Sequence, residues 1–178
     1  KLKHTEKLIE ESNKRLRILS TVASQLLAAD EPRTLIERLC TTVMEYLDCH
    51  MFFNYLVDDD HRRLCLNACA GLSPEMAEAI EWLEFGTAVC GSVARDGSRI
   101  VAENILSSAD EKTELVRSFG IAAYACHPLF SGGKVIGTLS FGTRSRLAFS
   151  DDELDVMKTV ADYVALSLER KKAMTDLR

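Results

Sequence analysis

Proline is scarce in this chain, three among 178 residues, and there is a single tryptophan. The sequence is therefore no proline-rich linker, and it contains neither a low-complexity segment nor an internal repeat. Long apolar runs are also missing. No stretch of about 18 apolar residues occurs, so nothing is expected to span a bilayer. Residues 1–11 are charged and lack the apolar core of a signal peptide, which makes the cytoplasm the expected location. Positive charge is in short supply: 22 Lys and Arg face 27 Asp and Glu, a net charge of −5. That balance argues against a nucleic-acid partner and gives no support for adhesion to an anionic membrane. The six cysteines, Cys40, Cys49, Cys65, Cys69, Cys90 and Cys126, form no CxxC pair. A chain of this length builds a core without disulfide staples, so most are expected to be reduced thiols packed as small apolar groups.

What is present reads as one domain with long helical ends. Leu2, Ile9, Leu16 and Ala23 recur every seven residues, as do Thr5, Ser12, Leu19 and Leu26, a seam with charge on the remaining faces. Thr5 and Ser12 make it imperfect. The seam predicts a helix over residues 3–28, longer than a small domain can cover. Asp30 and Pro32 suit the N-cap and first turn of a second helix, whose Leu35, Ile36, Leu39, Val43, Met44 and Leu47 share a face. The period then changes to two. Residues 51–57 and 63–70 read as strands joined at Asp58-Asp59-Asp60-His61, followed by a short helix at 74–80 and an edge strand at 82–85. A Gly-rich turn at 86–91 opens a helix to Arg95, and residues 99–102, 121–130 and 134–142 supply three more strands, the last two joined at Ser131-Gly132-Gly133. Ser150 and Glu153, with Phe149 before them, form a capping box and staple that open the final helix.

This order predicts an α+β fold built on an antiparallel sheet. Alternation assigns Leu64, Leu66, Ala68 and Ala70 to one side of their strand and Cys65, Asn67 and Cys69 to the other. It likewise separates Val135, Gly137, Leu139 and Phe141 from Ile136, Thr138 and Ser140. The apolar sides are expected to meet the terminal helices, and the polar sides to line a pocket or solvent.

Four strings in order resemble the GAF family: residues 86–97 (GTAVCGSVARDG), His127-Pro128-Leu129, residues 133–140 (GKVIGTLS) and residues 149–154 (FSDDEL). The resemblance covers about residues 34–169. It implies a GAF/PAS-like six-stranded antiparallel sheet, with the N- and C-terminal helices on one face and short helices and loops forming a pocket on the other. It further implies a sensory input module of a larger cytoplasmic bacterial signalling protein, such as a sensor histidine kinase. Residues 1–30 would be a signalling, coiled-coil helix, residues 31–170 the sensory domain, and residues 150–178 a helix leading to an output module. A homodimer through the terminal helices is the expected assembly.

Candidate ligand contacts are Asn54, Asn67, Cys69, Gly86, Val89, Cys90, Gly91, Tyr124, Cys126, Thr138 and Ser140. Apolar pockets with a few placed polar groups bind small molecules, and the start of a helix offers unpaired N–H groups to an anion or carbonyl. The glycines of residues 86–91 equally suit a tight turn alone. Cys90, Cys126 and His127 have the donor chemistry to hold haem iron or another metal, or to sense oxidants, yet show no paired ligand spacing. The cofactor, if there is one, is not named by these residues.

Three family chemistries are disfavoured by particular positions. Bilin attachment uses a Cys-His pair eight residues before a Met-Gly, and Glu111-Lys112 occupy that place ahead of Phe119-Gly120. Cyclic-nucleotide sites use an Asn-Lys pair where Thr143-Arg144 stand here, although Phe149, Asp152 and Glu153 match the remainder. Free methionine sulfoxide reductases share the Gly86–Gly91 string with Cys90 in place, but carry a nucleophilic cysteine in the loop that here reads Ser107-Ser108-Ala109-Asp110. The chain also lacks a P-loop, a histidine-kinase dimerisation motif and an ATP-lid glycine sequence. The expectation is a non-catalytic sensor, with a ligand-free dimerisation scaffold or a thiol enzyme as alternatives.

Overall fold

The computed structural model describes residues 2–28 and 31–176. Two helices come first, α1 (Leu2–Ala28) and α2 (Pro32–Tyr46), then the hairpin β1 (Met51–Asp58) and β2 (Arg63–Ala70). Helix α3 (Pro74–Ala79), edge strand β3 (Trp82–Glu84), helix α4 (Ala88–Asp96) and strand β4 (Ile100–Ala102) follow. Two 3₁₀ turns lead to α5 (Glu114–Ser118), the hairpin β5 (Ala123–Ser131) and β6 (Lys134–Thr143), and the closing helix α6 (Asp151–Asp176). The six strands form one antiparallel sheet in the order β3-β2-β1-β6-β5-β4. Every expected element is present, with boundaries moved by a few residues at most.

Local chemistry accounts for the elements. Gly132 and Gly133 both have positive φ, +58° and +79°, the geometry of the two-residue turn that joins β5 to β6. The capping box is complete: Ser150 N–H donates to Glu153 Oε1 at 2.9 Å and Glu153 N–H donates to Ser150 Oγ at 3.1 Å. Arg146 ties this box to the end of α2 by donating to Glu153 and to the carbonyls of Leu47 and Asp48. The N-cap position of α2 falls on Glu31, which makes no side-chain cap, and Pro32 occupies the first turn; Asp30, expected as that cap, lies outside the described residues.

Helices α1, α2 and α6 cover one face of the sheet. Phe52, Leu139, Phe141 and Leu129 pack there against Ile36 and Val43 of α2 and Met157, Val160 and Val164 of α6. Each such side chain contributes about 1.5–3 kcal/mol by leaving water. Helix α1 lies on α6, where Arg15 Nη1 reaches Asp152 Oδ1 at 3.2 Å, and Ile18 and Leu19 pack on the same core. Leu2, Ile9 and Leu16 of the heptad seam are exposed, Leu2 to 80%; the side chain of Leu26 lies outside the described residues. Among the described residues no helix is long and apolar enough to cross a membrane.

The other face carries a second core beneath α3, α4 and α5, built on Met51, Phe53, Tyr55, Leu64, Val89, Val93, Ile105 and Tyr124. Here the expected division of β2 is corrected. Asn54 pairs with Ala68 but Tyr55 pairs with Leu66, so Asn67 is a bulge residue between them. The extra residue reverses the alternation. Ala68 and Ala70 face the long helices as expected, whereas Leu64 and Leu66 pack in the second core.

Candidate functional site

The turn before α4 exists because two glycines permit it. Gly86 sits at φ +84°, and a Cβ on Gly91 would lie 2.4 Å from the carbonyl oxygen of Glu84. Gly86 N–H donates to Gly91 O at 2.8 Å, so the turn closes on itself and that donor is used internally. Ser92 Oγ donates back to Ala88 O at 2.7 Å. Val89 and Cys90 are thereby pointed down onto the sheet, both buried.

The sheet presents a matching row. Ile100, Cys126, Ser140, Phe53 and Cys69 are successive partners across β4, β5, β6, β1 and β2. Above the row, Cys90 Sγ lies 3.7 Å from Cys126 Sγ and 3.0 Å from Tyr124 Oη. Tyr124 Oη donates to Ser140 Oγ at 2.6 Å, and Ser140 Oγ donates to the Phe53 carbonyl at 3.4 Å. With the tyrosine hydrogen committed to Ser140, Cys90 is the donor to Tyr124. The groups form a one-way chain, Cys126 to Cys90 to Tyr124 to Ser140 to a carbonyl, in which each hydrogen is used once and successive bonds polarise one another. Cys90 is 4% exposed, Cys126 fully buried.

The two thiols differ in acidity. The hydrogen bond from Cys126, aided by Tyr124 and Ser140, holds the Cys90 thiol below its ordinary value despite burial. Burial, and then the bond it donates to Cys90, raises Cys126 well above its own. Cys90 is therefore the more acidic thiol of the pair. Thr138 Oγ1, buried on the same face, has no hydrogen-bond partner among the described residues.

The expected candidates thus separate. Val89, Cys90, Tyr124, Cys126, Thr138 and Ser140 converge, Cys69 packs at the margin of the same core, and Gly86 and Gly91 shape the turn. Asn54 and Asn67 do not join them. Asn54 falls in the cross-strand row His127–Leu139–Asn54–Ala68, which faces the long helices. There Asn54 Nδ2 donates to Thr138 O at 3.0 Å and Asn67 Nδ2 donates to Asn54 Oδ1 at 2.9 Å, so the pair secures the bulge. The space expected as a hollow under residues 86–91 is occupied by Phe53, Tyr55 and Tyr124, each at most 2% exposed, with Tyr55 Oη tied to Ile80 O at 2.7 Å. The role of both tyrosines as fillers depends on the register of three strands. The three metal candidates also part, because Cys126 and His127 lie on opposite faces of β5. Among the described residues no group of three His, Cys, Asp or Glu side chains is placed to hold a metal ion.

A family model described as the GAF domain matches residues 29–169. The chain belongs to the GAF family. A relative, the methyl sulfide methyltransferase-associated sensor of Methanosarcina acetivorans, is 26% identical over 181 residues. That match takes in 99% of this chain but 17% of the relative's length. Two solved structures share the fold. The GAF domain of a phosphoenolpyruvate-protein phosphotransferase from Coxiella burnetii has a TM-score of 0.78 at 19% identity, covering 91% of this chain and 96% of that one. Free methionine-R-sulfoxide reductase from Neisseria meningitidis, solved with its substrate, has a TM-score of 0.76 at 20% identity, covering 90% and 91%.

Proposed function

We propose that this GAF domain is a non-catalytic input module of a larger signalling protein of the sensor histidine kinase type, with the Cys90–Cys126 pair as its redox-responsive element. The observation that carries this reading is the sulfur–sulfur separation of 3.7 Å inside a closed hydrogen-bonded chain. A disulfide requires about 2.05 Å, so bonding the two sulfurs draws α4 and β5 together. With a peroxide as oxidant, the Cys90 thiolate attacks one oxygen, the O–O bond breaks, and hydroxide leaves and is protonated to water. Cys126 then displaces the resulting sulfenic oxygen as a second water, forming the S–S bond. Two thiols and one peroxide become one disulfide and two waters. Helices α6 and α1, clasped on the opposite face, carry the altered packing outward. A small ligand acting through the same face would have to displace Tyr55 or Tyr124, and only unequal affinity for the two packings would make it a signal.

The proposed homodimer is supported by α1, whose exposed Leu2, Ile9 and Leu16 offer an apolar seam to a second copy. Light scattering of the purified chain is expected to give a dimer that Leu16→Glu converts to monomer.

The redox reading is tested by stoichiometric hydrogen peroxide followed by intact-mass and peptide mapping. The expected product has lost two hydrogens and links Cys90 to Cys126, and Cys126→Ser arrests at the Cys90 sulfenic acid. Oxidation confined to the more accessible Cys65 and Cys69 would remove the proposal. The reductase alternative gains a second thiol from this structure, but both sulfurs are closed to a substrate of amino-acid size. Absence of turnover with free methionine sulfoxide and a dithiol reductant is the expected result.

A further inference from the structure

His127 is buried on the face of the long helices, 3% exposed, and among the described residues both its ring nitrogens lack a hydrogen-bond partner. A neutral imidazole holds one N–H donor and one acceptor, and burying both unused is unfavourable, so native structures rarely leave such a group. The imidazole lines a cleft of about 410 Å³ between β5, the approach to β4, and α6. That volume falls within the range of about 300–1,000 Å³ usual for small-molecule sites. Arg99 stands on one wall and Lys158 on the other, while Pro128 and Phe130 provide an apolar floor, Phe130 being 45% exposed. Asp162 is the one acidic neighbour lining the cleft, and it accepts from Lys158 Nζ at 3.0 Å in an exposed pair that solvent weakens.

We propose that this cleft is a binding site for a small organic anion, a carboxylate or phosphate monoester with an apolar body. Its charged oxygens are taken by Arg99, Lys158 and the imidazole of His127, and its body lies on Phe130. Two cations against one paired carboxylate favour an anion, and the imidazole supplies a directional donor at the dry end of the cleft. The site is separate from the Cys90 cluster, on the other side of the sheet, and does not rest on the redox reading. It adjoins α6 directly through Lys158 and Asp162, so an occupant bears on the outgoing helix without acting through the sheet.

Proton linkage gives the site a signature. Burial first, then Arg99 and Lys158, hold His127 down to about 4, so it is neutral in the free protein at pH 7, while Asp162 acts weakly in the other direction. A bound anion offsets both cations and favours imidazolium. Binding therefore takes up a proton and tightens as pH falls.

Calorimetric titration of the whole chain with phenyl phosphate, benzoate, inorganic phosphate and neutral benzamide tests this. Phenyl phosphate and benzoate are expected to bind about tenfold more tightly at pH 5.5 than at pH 7.5, with proton uptake read from buffers of different ionisation enthalpy. A shift of the His127 ring protons in NMR should accompany saturation. Arg99→Ala and Lys158→Ala, both at exposed positions, should each weaken binding about tenfold and leave the fold intact; Phe130→Ala should weaken phenyl phosphate alone. Undetectable binding of both organic anions, or binding unchanged in the Arg99→Ala/Lys158→Ala double variant, overturns the site. Inorganic phosphate binding as tightly as phenyl phosphate overturns the organic-body assignment.

Discussion

On the face of the sheet clasped by α1, α2 and α6, most contacts are carbon on carbon, with Phe52 and Phe141 ring centroids 6.2 Å apart at its centre. On the opposite face, beneath α4, the same strands bring together two thiols, a phenol and a hydroxyl in a single line of hydrogen bonds. Both faces hold a buried core. The difference is that the first holds its shape through area removed from water, which tolerates small displacements, whereas the second depends on the placement of individual hydrogens. Under the proposed redox reading that division is useful, since one face is perturbed chemically while the other keeps the helices in register.

Substitutions and pH separate the two faces in order of effect. Phe141→Ala, at the centre of the helix-side core, should cost about 3–5 kcal/mol in urea unfolding; a cost near 1 would mean that this face is less tightly packed than described. Next is His127, an exception on the apolar face. Its value near 4, against 6.5 for the free side chain, means the unfolded chain binds the proton more readily. The associated stability is fully present above pH 6.5 and is lost as pH falls toward 4, amounting to about 3 kcal/mol. A His127→Gln variant should flatten that part of the pH–stability curve. Gly91→Ala should cost about 1–3 kcal/mol, because the new methyl meets the Glu84 carbonyl and lifts α4 from the sheet. Tyr124→Phe should cost only about 1 kcal/mol in stability yet slow disulfide formation between Cys90 and Cys126, by removing the hydroxyl that can turn to donate to Cys90 once the thiol proton has left. Equal peroxide kinetics in wild type and Tyr124→Phe would reduce the polar face to ordinary packing. Smallest is Arg15→Ala, whose exposed pair with Asp152 should contribute less than about 1 kcal/mol, screened further by salt in thermal melts.

Much of the fold was legible because its signals are local. The Ser150–Glu153 box, the Gly132-Gly133 turn and the change of period after Asp48 each declare an element within a few residues. The GAF strings at Gly86 and Gly133 then supply the arrangement. The side assignments of β2 failed for an equally local reason: a bulge at Asn67 has no residue signature, and one added residue exchanges the faces of everything beyond it. The candidate site was legible by half. Cys90, Cys126 and Ser140 were named for their chemistry, but their meeting depends on the register of β5, β6 and β1 together with the close approach of α4 allowed by Gly91. The same blindness to register placed Asn54 and Asn67 in the wrong layer. It also paired Cys126 with His127, which adjacency suggested and strand geometry forbids.

That adjacency has a consequence of its own. Cys126 looks toward α4 and His127 toward α6, and a single peptide unit separates them. A strand pinned by neighbours on both edges cannot translate freely, so a tug on one residue is relieved mainly by rocking about its own axis. Rocking that draws Cys126 upward tips its neighbour the other way, and the lever arm between the sulfur chemistry and the departing helix is then only one residue long.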